Sequence, residues 1–312
     1  MTTLIDVARR AGVSKSTVSN VIRGATPVAE PTRRKVERAI AETGYHPNAI
    51  ARSLKARASM AIGIVVPDRA NPFYTELAVG VERTANALGY AIIAAHTECS
   101  PRIEDEVGRA FIERRVDGVI IGGISLGSSL PRLLLDRDIP VVLASLGEPA
   151  DPRLGVIDQD DPAAMEAIIG HLYDLGHRLL AFVSHQLREH SGTRRRCAFQ
   201  SALARRGLAP GGPEGATAVV AHNDMLAIAT IDRLERSGLH VPADVSVVGY
   251  DDVPLAAHFR IQLTTARSDA VDMGERAAQL VVNAARDCRH VAHREVQSNP
   301  LVVRATTARL SR

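Results

Sequence analysis

The 312-residue sequence predicts a small all-α helix-turn-helix head, followed by an α/β body made of two lobes with parallel sheets. Three observations lead there. Residues 1–59 show short helical periodicities broken by glycines. Beyond them, short apolar runs alternate with longer helical stretches, the βαβα order of parallel sheets covered on both faces. The body, about 250 residues long, is large enough for two such lobes. Hydrophobic residues make up 46% of the chain, so sizeable cores are expected. Aromatics are only 3%, with no Trp, so those cores must be aliphatic and an aromatic in a cleft stands out.

In the head, Leu4, Ile5, Ala8 and Ala11 share one helical face, with Thr2 or Thr3 as N-cap and Asp6 in the first turn. Gly12 ends that helix. Ser14 caps a second, with Val18, Val21 and Ile22 turned inward and Gly24 closing it. Two short helices joined by a glycine-containing turn make a helix-turn-helix. The second helix would present Lys15, Ser16, Thr17, Ser19 and Asn20, short polar groups and one cation suited to a major groove. A third helix, capped by Thr32, runs to about Thr43 with Val36, Ala39 and Ile40 inward, and ends at Gly44. Tyr45–Lys55 then offers two turns starting at Pro47, too short to be stable alone in water. Residues 1–59 hold 11 Lys and Arg against 4 acids, a net +7. The remaining 27 basic and 31 acidic residues leave the body at −4. A basic head on an acidic body is the footprint of a polyanion binder.

The body elements follow in order. Expected strands are Ala61–Val66, Tyr90–Ala95, Gly118–Ile121, Val141–Ala144, Leu179–Val183, Ala218–Ala221 and Val245–Val248. Expected helices are Phe73–Leu88, Ile103–Arg115, Leu130–Asp136, Ala163–Leu175, Thr193–Arg206 and Asp224–Ser237. Ligands in such sheets bind beyond the carboxyl ends of strands. Those ends carry Asp68, then Asn71-Pro72-Phe73-Tyr74, then Asn223-Asp224 and Tyr250-Asp251-Asp252, while Arg194, Arg195 and Arg196 open a helix. Carboxylates, amides, an arginine and an aromatic face suit a polyol. Strand-end Asp and Asn also serve as helix caps, and Asp224 at a helix start fits either role.

Other classes find little support. Gly123-Ile124-Ser125-Leu126-Gly127 matches a GxSxG nucleophile elbow, and Asp251 and His258 follow in hydrolase order, but a serine hydrolase needs a histidine within reach of Ser125. His171 and His177 are not spaced as two ligands on one helix face and read as surface or capping residues. No metal or cofactor is expected. Cys99, Cys197 and Cys288 form no CxxC pair and read as small buried hydrophobes in a reducing cytoplasm. No apolar run is long enough to span a membrane, and the opening MTTLIDVARR does not read as a signal peptide.

The head string TLIDVARRAGVSKSTVSNVIRG, followed by TRRKVERAIAETGYHPNAIARSLK, resembles the headpiece of LacI-type (lactose-repressor/galactose-repressor) transcription regulators over nearly all of residues 3–57. VVPDRANPFY, DGVII, GHR, HND, DVSVVGYDDVPLA and LTT extend the resemblance through the body in family order. The resemblance implies a headpiece with hinge helix over 1–58 and a periplasmic-binding-protein-like effector and dimerisation domain over 59–312. Lobe 1 would span about 60–158 and 268–290, and lobe 2 about 159–267 plus the C-terminal segment. It implies that Lys15, Ser16 and Asn20 read bases and that Thr17, Ser19 and Asn48 anchor the DNA backbone. Ala51, Arg52 and Lys55 would belong to the DNA-contacting hinge, and Leu54 would wedge into the minor groove. Phe73, Arg195, Asn223 and Asp251 match effector contacts, with Asp68 and Tyr74 flanking them. Ser268 stands where many relatives have Gln. Only GGPEG separates GLAP from ATAVVAHND, so the second lobe is expected to lack one βα unit near 207–216. The implied function is a homodimeric repressor in the cytoplasm, binding a pseudo-palindromic operator under control of a small molecule, a sugar first and a nucleobase stacked on Phe73 second. The third alternative is a regulator without a functional effector site. ARLSR at the C-terminus carries no tetramerisation heptad, so a dimer is expected.

Overall fold

A computed structural model describes residues 2–23, 27–45, 58–147, 151–184, 190–212 and 215–310. The chain divides into two bodies, residues 1–59 and 60–312.

The first body holds α1 (Leu4–Ala11), α2 (Lys15–Arg23) and α3 (Glu30–Thr43). Thr3 caps α1 in a reciprocal capping box with Asp6, and Gly12 ends it. Ser14 Oγ accepts the Thr17 N–H at 3.1 Å, the expected cap of α2. The third helix starts two residues before the expected Thr32 cap. Its N-cap is Ala29, without a side-chain bond, and Pro31 supplies the preset φ of the first turn. Val7, Ala8, Val18, Val36, Ala39 and Tyr45 form the core. Arg10 ties α1 to Glu42 on α3 at 2.6 Å.

The second body begins with β1 (Ala61–Val66), α4 (Pro72–Ala87), β2 (Ala91–His96), α5 (Pro101–Glu113), β3 (Gly118–Ile121), α6 (Leu130–Leu135), β4 (Val141–Ala144) and β5 (Gly155–Gln159). It continues with α7 (Asp161–Asp174), β6 (Leu180–Val183), α8 (His190–Ala204), β7 (Ala218–Ala221), α9 (Asp224–Arg236) and β8 (Ser246–Asp251). After β9 (Thr264–Arg267) come α10 (Ala270–Asp287), β10 (Arg294–Gln297) and β11 (Leu301–Val302). The first sheet runs β10-β5-β4-β3-β1-β2 and is parallel throughout. The second runs β11-β9-β8-β7-β6, parallel except for β11 against β9. Each lobe is therefore a covered parallel sheet, and β10 returns to the first lobe beyond the 290 expected from sequence. In the second lobe α8 leads straight to β7, and β6 is the edge strand. The Gly211 N–H, in the short connection, donates to Leu180 O of that strand at 2.8 Å.

Two further sequence expectations change, and the open role of Asp224 at its helix start is decided. Cys197 and Cys288 are exposed, and only Cys99 is buried. His177 is 2% exposed: its ring bonds Thr217 Oγ1, Ser246 Oγ and Ala308 O, fastening the C-terminal segment to the second lobe. Asp224 does not cap α9. Asn223 does, accepting the Leu226 N–H at 2.9 Å.

The tightest packing joins α4 and α10. A Cβ on Gly80 would lie 2.1 Å from Val271 O, and one on Gly274 would lie 2.2 Å from Leu77 O. Only glycine lets these backbones approach so closely, and Leu77, Val81, Ala277, Ala278 and Val281 seal the contact. Gly274→Ala gains about 1 kcal/mol of helix propensity. It also forces two backbones apart, and overpacking costs roughly 1–3 kcal/mol even where flexible side chains can yield. A lower urea midpoint for the variant, with unchanged m-value, is the expected result.

Candidate functional site

On the head, Lys15 and Ser16 are exposed at the start of α2, with Thr17, Ser19 and Asn20 half-buried. Ser14 Oγ lies 2.7 Å from Ser16 Oγ and 2.8 Å from Thr17 Oγ1, so the hydroxyls form a chain across the first turn. Val18 on the opposite face is fully buried and fixes which side α2 presents. Asn48, Ala51, Arg52, Leu54, Lys55 and the expected hinge helix lie outside the described residues.

In the body, one cavity lies where the carboxyl ends of the two sheets meet. The first lobe contributes Asn71, Phe73, Tyr74 and Ser145, and the second Ser191, Arg195, His222, Asn223 and Asp251. Its free volume is about 10 Å³, room for a single water. Five of the six sequence-predicted effector residues thus line one space. Asp68 does not: it is exposed after β1 and turns its carboxylate back onto the Ala70 N–H at 2.7 Å. Asn71 caps α4 through the Phe73 N–H, which delivers the Phe73–Tyr74 pair to the cavity with rings edge-to-face at 5.1 Å. Ser268 is buried against the same region, donating its N–H to Asp251 O and accepting from Asn299 Nδ2.

Arg195 organises the second-lobe wall. Its side chain is 4% exposed. Nη1 donates to His222 O at 2.7 Å, and Nη2 to Gln159 Oε1 at 2.7 Å and Asp251 Oδ1 at 3.2 Å. Nε faces Asp161 Oδ1 at 3.4 Å, and the guanidinium stacks 3.7 Å over the Tyr250 ring. Burial alone pulls its pKa down, but Asp251 and Asp161 more than offset this, so the shift is upward and the cation persists. Tyr250 donates its hydroxyl to Asp161 at 2.8 Å, and burial followed by that carboxylate raises its pKa well above the ordinary value. Sequence reading missed Gln159, Asp161, Ser145, Ser191 and His222. Polar residues at the end of β5, in Asp158-Gln159-Asp160-Asp161, were the available signal.

Ser125 is no nucleophile elbow. Its N–H and hydroxyl both donate to the buried Glu104 carboxylate at 2.8 Å, so a carboxylate, and not a histidine, faces the hydroxyl. Among the described residues no cluster of metal-binding side chains occurs, and no helix is long and apolar enough to cross a membrane.

Asp224 lies behind the cavity, accepting the Val253 N–H at 2.8 Å and the Thr265 hydroxyl at 2.6 Å. Burial, then the neighbouring Asp251 charge, pushes its pKa up to about 8. Between about pH 4 and 8 the unfolded chain releases this proton and the folded chain keeps it, so folding stability falls as pH rises through that window. Asp224→Asn is therefore expected to flatten the fall in urea midpoint between pH 5 and 8, and an unchanged slope would contradict the assignment.

Comparison with known proteins agrees with this architecture. Residues 3–48 match the family described as bacterial regulatory proteins, lacI family. Residues 59–212 match the periplasmic binding proteins and sugar binding domain of LacI family, and residues 169–307 a periplasmic binding protein-like domain. The chain is 33% identical over 336 aligned residues to the HTH-type transcriptional repressor PurR of Vibrio campbellii, covering 100% of both. It is 31% identical to the PurR repressor of Photobacterium profundum, again covering 100% of both. A lac repressor dimer bound to operator and the anti-inducer ONPF superimposes with a TM-score of 0.85 at 26% identity, covering 98% of this chain and 99% of that one. A transcriptional regulator CelR–cellobiose complex does so at 0.71 and 28%, covering 98% and 100%. With a helix-turn-helix head, a two-lobed body and full-length likeness to repressors, the chain belongs to the lacI family of bacterial regulatory proteins, as a DNA-binding transcriptional repressor and not an enzyme.

Proposed function

We propose that this repressor binds a pseudo-palindromic operator as a homodimer and that a small molecule held in the cleft alters that binding. The observation that carries the second half is the convergence of Phe73, Tyr74, Arg195, Asn223 and Asp251 on one cavity between two lobes. Ligand placed there touches both lobes, so it binds different lobe arrangements unequally, which is the condition for shifting them. Such coupling is typically about 1–3 kcal/mol per site, and reciprocal. In the head, Lys15, Ser16 and Asn20 are assigned to bases, and Thr17, Ser19 and Asn48 to the backbone. Arg52 would neutralise a phosphate, Ala51 and Lys55 would belong to the DNA-contacting hinge, and Leu54 would be the minor-groove wedge. A second copy would bury Phe259, which is 74% exposed, and its neighbour Leu255.

A sugar is the leading effector. Asp251 accepts hydroxyls. Asn223 spends its carbonyl on capping α9 and has its amide N–H groups to offer a hydroxyl oxygen. The CelR relative in complex with cellobiose supports the class. A nucleobase is the second reading, favoured by the buried Phe73–Tyr74 pair in an otherwise aromatic-poor protein.

Fluorescence anisotropy on DNA flanking the protein's own gene, at two salt concentrations and with sugar and nucleobase panels, tests both halves. Palindrome-dependent binding shifted by one ligand is expected; binding indifferent to every ligand would remove the effector assignment. Asp251→Asn should lose the ligand response while keeping operator affinity within a few-fold. Leu54→Ala should lose affinity for operator far more than for random DNA, and equal losses would defeat the wedge.

A further inference from the structure

Arg194, next to the central Arg195, reaches with its guanidinium from its own lobe to the other. Nη1 and Nη2 donate to Asp158 Oδ1 and Oδ2 at 2.8 and 3.0 Å, a bidentate pair across to β5 of the first lobe. Nη2 also lies 3.2 Å from Asp161 Oδ2. Asp158 is held from its own side, accepting the Gly147 N–H at 3.2 Å. Gly147 follows β4 with φ +81°, and a Cβ there would come within 2.9–3.1 Å of Arg194 Nε, Cδ and Cζ. The first lobe thus supplies a seat without a side chain and a fixed carboxylate, and the second supplies the planar cation that fits both. Side-chain exposure is 22% for Arg194 and 5% for Asp158, and the fork geometry is fixed. These features separate the pair from the exposed ion pairs of this protein, which are worth little.

We propose that Arg194, Asp158 and Gly147 form a latch between the lobes that holds the cleft closed and positions the cavity residues of both lobes against each other. The pair exists only when the lobes are together, so its whole free energy counts toward the closed arrangement and none toward an open one. Cavity and latch share their framework: Arg194 and Arg195 are adjacent on α8, as are Asp158 and Gln159 on β5. A ligand entering the cleft then acts on a closure already biased by this pair. The consequence for ligand response rests on the effector reading above; the latch itself does not.

Hydrogen exchange on the full-length protein, without DNA or ligand, tests the latch. Asp158→Asn, Arg194→Met and the double variant are compared with the parent. Each single variant is expected to speed exchange at least fivefold at residues 71–74, 145–147 and 190–195. Rates in β3 and α10 should be unchanged, and the double variant should be no faster than either single. Unchanged cleft exchange, additive effects in the double variant, or equal acceleration in β3 and α10 would each overturn the latch. Operator affinity of the same variants separates the two ideas. Faster cleft exchange with a severalfold change in operator affinity supports both. Faster cleft exchange with unchanged operator affinity upholds the latch and counts against effector control through the cleft.

Discussion

The placement of the cleft depends on one buried cation. A guanidinium taken out of water costs several kcal/mol unless carboxylates and carbonyls surround it. Arg195 meets that demand with the end of β7 through His222 O, the end of β8 through Asp251, and the β5–α7 crossover through Gln159 and Asp161. Three chain segments far apart in sequence must converge on α8 for the charge to be tolerated. The residues lining the cavity are held at the same strand ends. Two of them, Ser145 at φ +64° and Asp251 at φ +111°, carry left-handed backbone that is unfavourable for side chains of their type. The surrounding hydrogen bonds therefore over-determine their position.

The two lobes meet these constraints with unequal means. The first has a six-stranded sheet with helices on both faces, and its α4–α10 contact brings backbone against backbone. The second has five strands, an antiparallel edge at β11 and, at the other edge, β6 with a hydrogen bond from Gly211. Polar groups fasten its C-terminal segment: His177, Thr306 and Ser246 bind that segment to the sheet by buried hydrogen bonds.

Much of this was legible in the sequence, for physical reasons. The head reads clearly because glycines stop its helices and its apolar spacing leaves few alternatives. The buried parallel strands such as Ala61–Val66 and Ala218–Ala221 read as unbroken apolar runs. β5 escaped because its end carries Asp158 and Gln159, polar residues in a fully buried strand, placed there by the arginines they bind. β10 escaped because an edge strand reading Arg-Glu-Val-Gln has no apolar face to show. Asp68 misled because a carboxylate after a strand can serve its own turn as well as a ligand. Spacing alone does not show which of the three arginines at 194–196 turns inward, since that depends on the helix's rotation against both lobes; the family resemblance was what singled out Arg195.

The return of α10 and β10 to the first lobe also bears on how the chain emerges from the ribosome. The first lobe gains its covering helix, and the last strand of its sheet, only when residues near 270–297 have been made, after all of the second lobe except β11 and the C-terminal segment. Until then the α4 surface around Gly80 awaits a partner about 190 positions downstream and the β5 edge one about 140 positions downstream, long-range closures of the kind that slow folding and expose apolar surface meanwhile. Synthesis from the N-terminus can thus finish the head and the second lobe's early elements while the lobe begun first stays incomplete.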